Sequence, residues 1–256
     1  MRKFLSLVLA IAVVMAIAWQ YVRDAGTVAV SGATAVSIAN EPGRVHVFAK
    51  FSNGDTPDIL EGVSSPDAQR ASLAVRDGHS VLPVPAGASS VLSEDGAYVV
   101  LDGISGNLEE GRLIPIALHF RKSGQLTTQA VLGPATSPHA GHMAMTDMGA
   151  DDRNEAAPSV SLSVSRATDS SWSVEIKTDN FVFDQMADEP KHIAGHGHAH
   201  LYLNGMKLQR MYGHNASIGQ LPPGDYTVSV ELNSNLHMPY RNGDDVVSAK
   251  QVISVD

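Results

Sequence analysis

Gly195-His196-Gly197-His198-Ala199-His200-Leu201-Tyr202-Leu203-Asn204-Gly205 sets three imidazoles two residues apart, just ahead of an Asn-Gly dipeptide. In a strand, residues i, i+2 and i+4 share one face. Ala199, Leu201 and Leu203 are therefore expected to face a core, and His196, His198, His200 and Tyr202 to point away from it. Asn-Gly between apolar runs is the strongest short hairpin signal, favouring a two-residue type I′ loop. With Asn204 and Gly205 as that loop, the spacing predicts Leu203 opposite Met206, Leu201 opposite Leu208, His200 opposite Gln209 and His198 opposite Met211. Opposed Cβ atoms lie about 4.5–5.5 Å apart, so this register would bring Met211 to the outward histidines. Two imidazoles and a thioether suit copper, because imidazole serves both oxidation states and thioether selects Cu(I).

Working outward, the rest of the chain also reads as β structure. Val45 to Phe51, Ala97 to Leu101 and Ile114 to Phe120 are β-rich runs separated by clusters of Gly, Asp, Asn, Ser and Pro, as in a sandwich. Trp172, Val174 and Ile176 alternate with Ser173, Glu175 and Lys177, the pattern of a half-buried strand. No long stretch carries helical periodicity. The fold class expected is all-β: two β-sandwich domains of cupredoxin-like or immunoglobulin-like shape, at residues 26–133 and 158–256, joined by a flexible linker at 134–157.

The chain has 256 residues, 43% of them hydrophobic and 18% charged, which is enough for packed cores. Its formal net charge of -9 argues against nucleic acid, whose binding needs a basic face. Met1-Arg2-Lys3 precedes an apolar run from Phe4 to Trp19, the charged and apolar regions of an export signal. Ala16-Ile17-Ala18 fits a cleavage site, while Trp19 and Tyr21 fit the aromatic belt of a retained anchor. Sixteen residues are somewhat short of the ~20 that span a bilayer, and the choice between signal peptide and membrane tether over residues 1–25 stays open. Either way, the remainder is expected in the periplasm or at the extracytoplasmic face. There is no cysteine, which removes thiolate metal sites, Cys nucleophiles and iron–sulfur clusters together.

Within the linker, His139, His142, Met143, Met145 and Met148 fall inside ten positions, where 11 His and 9 Met spread over the chain would put fewer than one. Thioethers and imidazoles on flexible backbone can wrap Cu(I) and hand it on. In the C-terminal half, His237 follows the strand Tyr226 to Leu232 in the loop Asn233-Ser234-Asn235-Leu236-His237-Met238-Pro239, which sheet neighbours could carry over the histidine face. His214, after Tyr212-Gly213, either completes the site or is a loop imidazole bonded to backbone. His196 sits between two glycines, where the strand is less regular and where another backbone could approach closely. His46 and His119 alternate with apolar residues and are expected to face solvent. Met186 and His192 border a polar loop.

Phe51-Ser52-Asn53-Gly54-Asp55-Thr56-Pro57-Asp58, Gly62-Val63-Ser64-Ser65-Pro66, Pro85-Ala86-Gly87, Asp95-Gly96 and Leu108-Glu109-Glu110-Gly111 stand in the order found in the PCuAC family. Residues 27–132 thus resemble these periplasmic copper chaperones, small β-sandwich domains of cupredoxin-like shape. The resemblance implies copper as ligand and a cuproprotein acceptor as partner. Its copper ligands do not carry over: Ala74 stands where the family places a first His, and Tyr98-Val99-Val100 where it places a His-x-Met pair. His79 is the only nearby substitute, in a loop. The 139–148 stretch resembles the His/Met-rich tails that follow such domains, and residues 195–202, 204–205, 212–213 and 235–237 resemble a His-rich β module of exported bacterial proteins.

Enzyme signatures are missing. There is no Gly-x-Ser-x-Gly elbow, no His-Glu-x-x-His helix and no phosphate-cradling Gly-Lys-Ser/Thr loop. A metal hydrolase would need carboxylates and an open position beside the histidines, and nothing in the sequence puts Asp184, Asp188 or Glu189 there. The reading is therefore an exported, non-enzymatic copper-binding protein, a chaperone or buffer for Cu(I), Cu(II) or both. The leading alternative is an envelope scaffold that binds zinc or nickel incidentally, and a third reading is a copper-dependent oxidase, which would show redox turnover.

Overall fold

The computed structural model describes residues 28–76, 78–134, 156–167, 170–185 and 191–256. The signal or anchor segment lies outside these residues, as do His139, His142, Met143, Met145, Met148 and Met186.

Among the described residues there is no helix. Nine strands form the N-terminal half: β1 (Ala29–Ser37), β2 (Val45–Ser52), β3 (Asp58–Ser64), β4 (Arg70–Val75), β5 (Leu82–Val84), β6 (Ser89–Leu92), β7 (Ala97–Asp102), β8 (Leu113–Phe120) and β9 (Gly124–Leu132). Ten follow in the C-terminal half: β10 (Ser159–Arg166), β11 (Trp172–Asp179), β12 (Val182–Phe183), β13 (His196–Leu203), β14 (Met206–Met211), β15 (Asn215–Ile218), β16 (Gly224–Ser234), β17 (Arg241–Asn242), β18 (Asp245–Val246) and β19 (Ser248–Val255). Period-two alternation accounts for most of them. Val45, Val47, Ala49 and Phe51 of β2 are buried while their neighbours are half-buried or exposed. Trp172, Val174 and Ile176 of β11 do the same. Each fully buried Val, Ile, Leu or Phe contributes roughly 1.5–3 kcal/mol, which makes the register of these strands costly to slip.

In the C-terminal half, β19, β16, β13 and β14 are consecutive neighbours in one sheet, and β10, β11 and β15 form a second sheet. Val164, Trp172, Val174 and Ile176 of the second sheet share a core with Ala199, Leu201, Leu203, Val228 and Val230 of the first. The first sheet does not stop at β14. β14 pairs antiparallel with β6, with Lys207 opposite Val91, and β6 in turn pairs with β2. Hydrogen-bonded strands therefore run without a break from the C-terminal half into the N-terminal half.

β13 is the strand on which the site depends. It is flanked by β14 and β16, and every residue from Gly197 to Leu203 is buried. The expectation that His198, His200 and Tyr202 look outward holds only in that they oppose the apolar face. They do not meet solvent: His198 is 1% exposed and His200 2%. His200 and Tyr202 are covered by the turn between β6 and β7 in the N-terminal half, where Asp95 meets His200 and a Cβ added to Gly96 would lie 2.6 Å from the Gly205 carbonyl oxygen and 3.3 Å from the Tyr202 ring, while His198 packs against the rings of His200, Tyr212 and His237.

The hairpin also departs from the expected register. Leu203 pairs with Met206 and Tyr202 with Lys207, as two-residue loop geometry requires, and Asn204 takes the positive φ of 46° that such a loop demands. A bulge follows, so that Leu201 pairs with Gln209, His200 with Arg210 and Ala199 with Met211. One extra residue, Leu208, reverses the facing of everything beyond it.

Candidate metal centre

His198 and His200 are two residues apart on β13, and their Nε2 atoms are 3.0 Å apart. His237 joins them from the loop that follows β16, the strand hydrogen-bonded to β13 on the side away from the hairpin turn's return strand. A tight turn holds that loop in place. The His237 N–H donates to the Ser234 carbonyl at 2.9 Å and the Ser234 N–H to the Met238 carbonyl at 2.8 Å, while the Met238 N–H reaches the Ser234 hydroxyl at 3.3 Å. His237 adopts a left-handed φ of 63°, a conformation that costs a side-chain-bearing residue of order 1 kcal/mol and is kept where surrounding structure imposes it. The outcome is a set of three imidazoles, each offering one nitrogen, with all three nitrogens within 4.8 Å of one another. Among the described residues no other group of three His, Asp or Glu side chains is drawn together in this way.

The surroundings fix the state of these rings. Nδ1 of His200 lies 3.1 Å from Asp95 Oδ2 and 3.2 Å from the Tyr202 hydroxyl, and that hydroxyl itself donates to Asp95 Oδ2 at 3.1 Å. An ionised carboxylate only accepts, so Nδ1 of His200 carries the hydrogen and its Nε2 presents a lone pair. His198 then donates its Nε2 hydrogen to His200. Burial lowers the His198 pKa to about 3, with the neighbouring His200 and His237 rings and the Arg210 and Lys207 charges acting the same way. Burial also lowers His200, outweighing the opposing hydrogen bond to Asp95, and lowers His237. Asp95 moves the other way from what its own burial would dictate: hydrogen bonds from His200, Lys207 and Ser93 and the Lys207 charge hold its carboxyl well below the usual range. At neutral pH the site is three uncharged imidazoles, the form that binds metal.

The other residues singled out in the sequence lie elsewhere. Met211 stands opposite Ala199 because of the Leu208 bulge, and it is buried in the apolar core instead of beside His198. His196 gives its Nδ1 hydrogen to Asp184 Oδ2 at 3.0 Å, an oxygen that Asn235 also contacts at 3.2 Å. His214 bonds through Nδ1 to the Ile176 carbonyl at 3.1 Å and packs edge-on against Phe183, the backbone-bonded loop imidazole of the two readings. His46 is half-buried with its ring 4.6 Å from that of Tyr98, not solvent-facing, and Ala74 is the direct cross-strand partner of Tyr98. The close backbone approach expected near the glycines is real: Gly197 faces the Asn233 carbonyl and Gly195 that of Asn180.

Sequence reading missed Asp95, Lys207, Arg210 and Tyr212 as parts of the site. Lys207 forms an ion pair with Asp95, Arg210 pairs across from His200, and the Tyr212 ring lies 5.7 Å from that of His198. Lys207 and Arg210 carried a signal, since both sit on the return strand of the hairpin. Asp95 carried none beyond its place in the Asp95-Gly96 turn.

Residues 23–132 match the family model "Putative lipoprotein LpqE-like". This chain contains no cysteine, so a lipid joined through a cysteine sulfur has no attachment point in it. No curated protein matches the chain. Among solved structures it is similar to the copper-bound PCuAC domain from PmoF2, at 22% identity over 43% of this chain and 95% of that one, with a TM-score of 0.40. It is similar to the apo PCuAC domain from PmoF1, at 25% identity over 43% and 97%, TM-score 0.40. A third likeness is Cu(I)-DR1885 from Deinococcus radiodurans, at 21% identity over 40% and 75%, TM-score 0.34.

Proposed function

We propose that this protein is an extracytoplasmic copper carrier, a chaperone or buffer without catalytic activity of its own, that holds its ion at His198, His200 and His237. The observation that carries this reading is the convergence of three neutral imidazoles, two of them buried, on one point. Two nitrogens at ordinary bonding distance from one ion, about 2.0–2.1 Å each, stand roughly 3.3 Å apart at a tetrahedral angle, close to the 3.0 Å between the Nε2 atoms of His198 and His200; to bind there, His198 gives up its Nε2 hydrogen and takes the Nδ1–H tautomer. His237 is the exposed member, so the ion enters and leaves on its side. Nitrogen sites bind Cu(II) more tightly than any other first-row divalent ion. Export rests on the residue 1–19 pattern and agrees with the lipoprotein family match. The Met-rich stretch at 139–148 supplies soft ligands for Cu(I) at a second place, and a cuproprotein that accepts the ion is the partner this role needs.

One observation favours a second reading. With Met211 turned into the core, the described site holds only nitrogen donors, and three imidazoles beside an open position also suit zinc. The test is the metal content of the protein isolated from its native envelope, together with titration of the metal-free protein with Cu(I), Cu(II) and Zn(II). One equivalent of Cu(II) that His198→Ala removes, apart from Cu(I) held by residues 139–148, is the expected result. Zinc at full occupancy, undisplaced by copper, overturns the copper reading.

A further inference from the structure

We infer that Asp95, a residue of the N-terminal half, is a positioning residue of the metal centre, so that the site is complete only while the two halves are docked. This rests on the proposed metal reading of His198, His200 and His237.

Three donors of the C-terminal hairpin converge on one oxygen of the N-terminal half. Asp95 Oδ2 is met by His200 Nδ1 at 3.1 Å, by the Tyr202 hydroxyl at 3.1 Å and by the Lys207 ammonium, while Oδ1 takes the Ser93 hydroxyl at 2.6 Å. His200, Tyr202 and Lys207 belong to the C-terminal hairpin, and Asp95 and Ser93 to the turn after β6. A histidine that ligates through one nitrogen needs its other nitrogen held by an acceptor, which fixes tautomer and ring orientation and raises basicity. Asp95 is that acceptor for His200. Without it, Nδ1 and Nε2 compete for the hydrogen and the ring is free to present the wrong nitrogen to the ion.

The turn that carries Asp95 is held against β13 and β14 by contacts with no slack. Gly96 has no room for a side chain against the Gly205 carbonyl, Arg76 pairs with the buried Glu231 of β16 and also reaches the Asp95 carbonyl, and β6 pairs with β14. Docking and ring orientation are therefore one geometric event. Because coupling between two binding equilibria is reciprocal, an ion that prefers the docked arrangement tightens docking by the same factor. The N-terminal half, which has no three-ligand group of its own among the described residues, thus serves the site from outside the coordination sphere.

The full-length protein tests this directly. In the metal-free wild type, imidazole nitrogen shifts should show His200 as the Nδ1–H tautomer, and Asp95→Ala should mix the two tautomers. Cu(II) titrated against a competing chelator should bind Asp95→Ala about 10–100-fold more weakly, the range for loss of such a partner. Asp95→Glu should recover part of the loss. Gly96→Val, which forces the turn away without touching a donor, should weaken copper by a comparable factor, and combining it with Asp95→Ala should add little. An Nε2–H tautomer in the wild type overturns the inference with no variant needed. Wild-type Cu(II) affinity in folded Asp95→Ala, while His198→Ala abolishes Cu(II) binding, overturns it and leaves the copper reading standing. Failure of the wild type to bind copper overturns both.

Discussion

The α-carbon of Gly197 faces the carbonyl oxygen of Asn233 so closely that a methyl group added there would sit 1.9 Å from it, with the Asn233 carbonyl carbon at 2.9 Å and the Ser234 α-carbon at 3.0 Å. All three are backbone atoms, so no side-chain rotation relieves the clash, and β13 must move away from β16. Overpacking of this kind costs about 1–3 kcal/mol. Because the displaced segment leads into the His237 loop, Gly197→Ala is expected to lower the melting temperature by several degrees and to weaken copper binding as well. Thermal unfolding and chelator competition on the same sample check both. A folded variant with unchanged copper affinity would show that the His237 loop is not tied to that strand pairing.

His237 is the member of the triad whose removal should separate binding from folding. It is exposed, and exposed substitutions generally stay within about 0.5 kcal/mol. Relief of its left-handed backbone offsets nothing, since Ala would be strained there too, so His237→Asn, which tolerates that conformation better, is the cleaner change. It should cut copper affinity by at least tenfold with little change in melting temperature. His198→Ala with His200→Ala should abolish Cu(II) binding but also destabilise the fold by roughly 1–3 kcal/mol, because both rings are buried and hydrogen-bonded. A double variant as stable as the wild type would contradict the packing described for that face.

Acid should act on the metal-free protein through the same histidines. His198 has a folded pKa of about 3, against about 6.5 in an unfolded chain. Above about pH 6.5 neither state binds the proton; below it the unfolded chain takes one up and the folded chain does not. Stability attributable to His198 is thus present in full above about 6.5 and falls as pH drops toward 3. Melting temperature measured across that window should decline, and less steeply in His198→Ala. Copper affinity should accordingly hold at pH values where an unperturbed imidazole site, titrating near 6.5, would already be losing its ion to protons.

Residues 139–148 supply two histidines and three methionines. Deleting them should weaken retention of Cu(I) against a chelator while leaving Cu(II) binding at the triad intact, since thioether discriminates by softness and imidazole does not. Parallel titrations with the two oxidation states decide it. Equal loss of both would mean that the stretch and the triad act as one site.

Strand identity was legible because burial repeats every second residue, and runs such as Val45 to Phe51 or Trp172 to Ile176 have no other explanation. The sequence left open whether the strand before His237 lies beside the histidine strand; the pairing of β16 with β13 is what brings that loop to the histidine face. The bulge at Leu208 was not. Leu208 is apolar and fits the unbulged register equally well, so nothing local distinguishes Met211 facing His198 from Met211 facing the core. Nor was the burial of His200 legible, because the turn that covers it, Ser93 to Gly96, stands about a hundred positions earlier. Period-two reasoning sorts residues between two faces and is silent on what lies against either one.

The pairing of β6 with β14 bears on how the molecule behaves when cut. Backbone hydrogen bonds across that seam, the Arg76–Glu231 pair and the Asp95 contacts join the halves without using the chain between Pro134 and Ala156. A protease acting between them should leave a single particle under native conditions, its two fragments migrating together. Separated by denaturant, each fragment would instead present a strand with one side unsatisfied, a template for pairing with any other strand. On refolding from dilute solution the nicked protein should reassemble, and at high concentration it should aggregate through those same two edges.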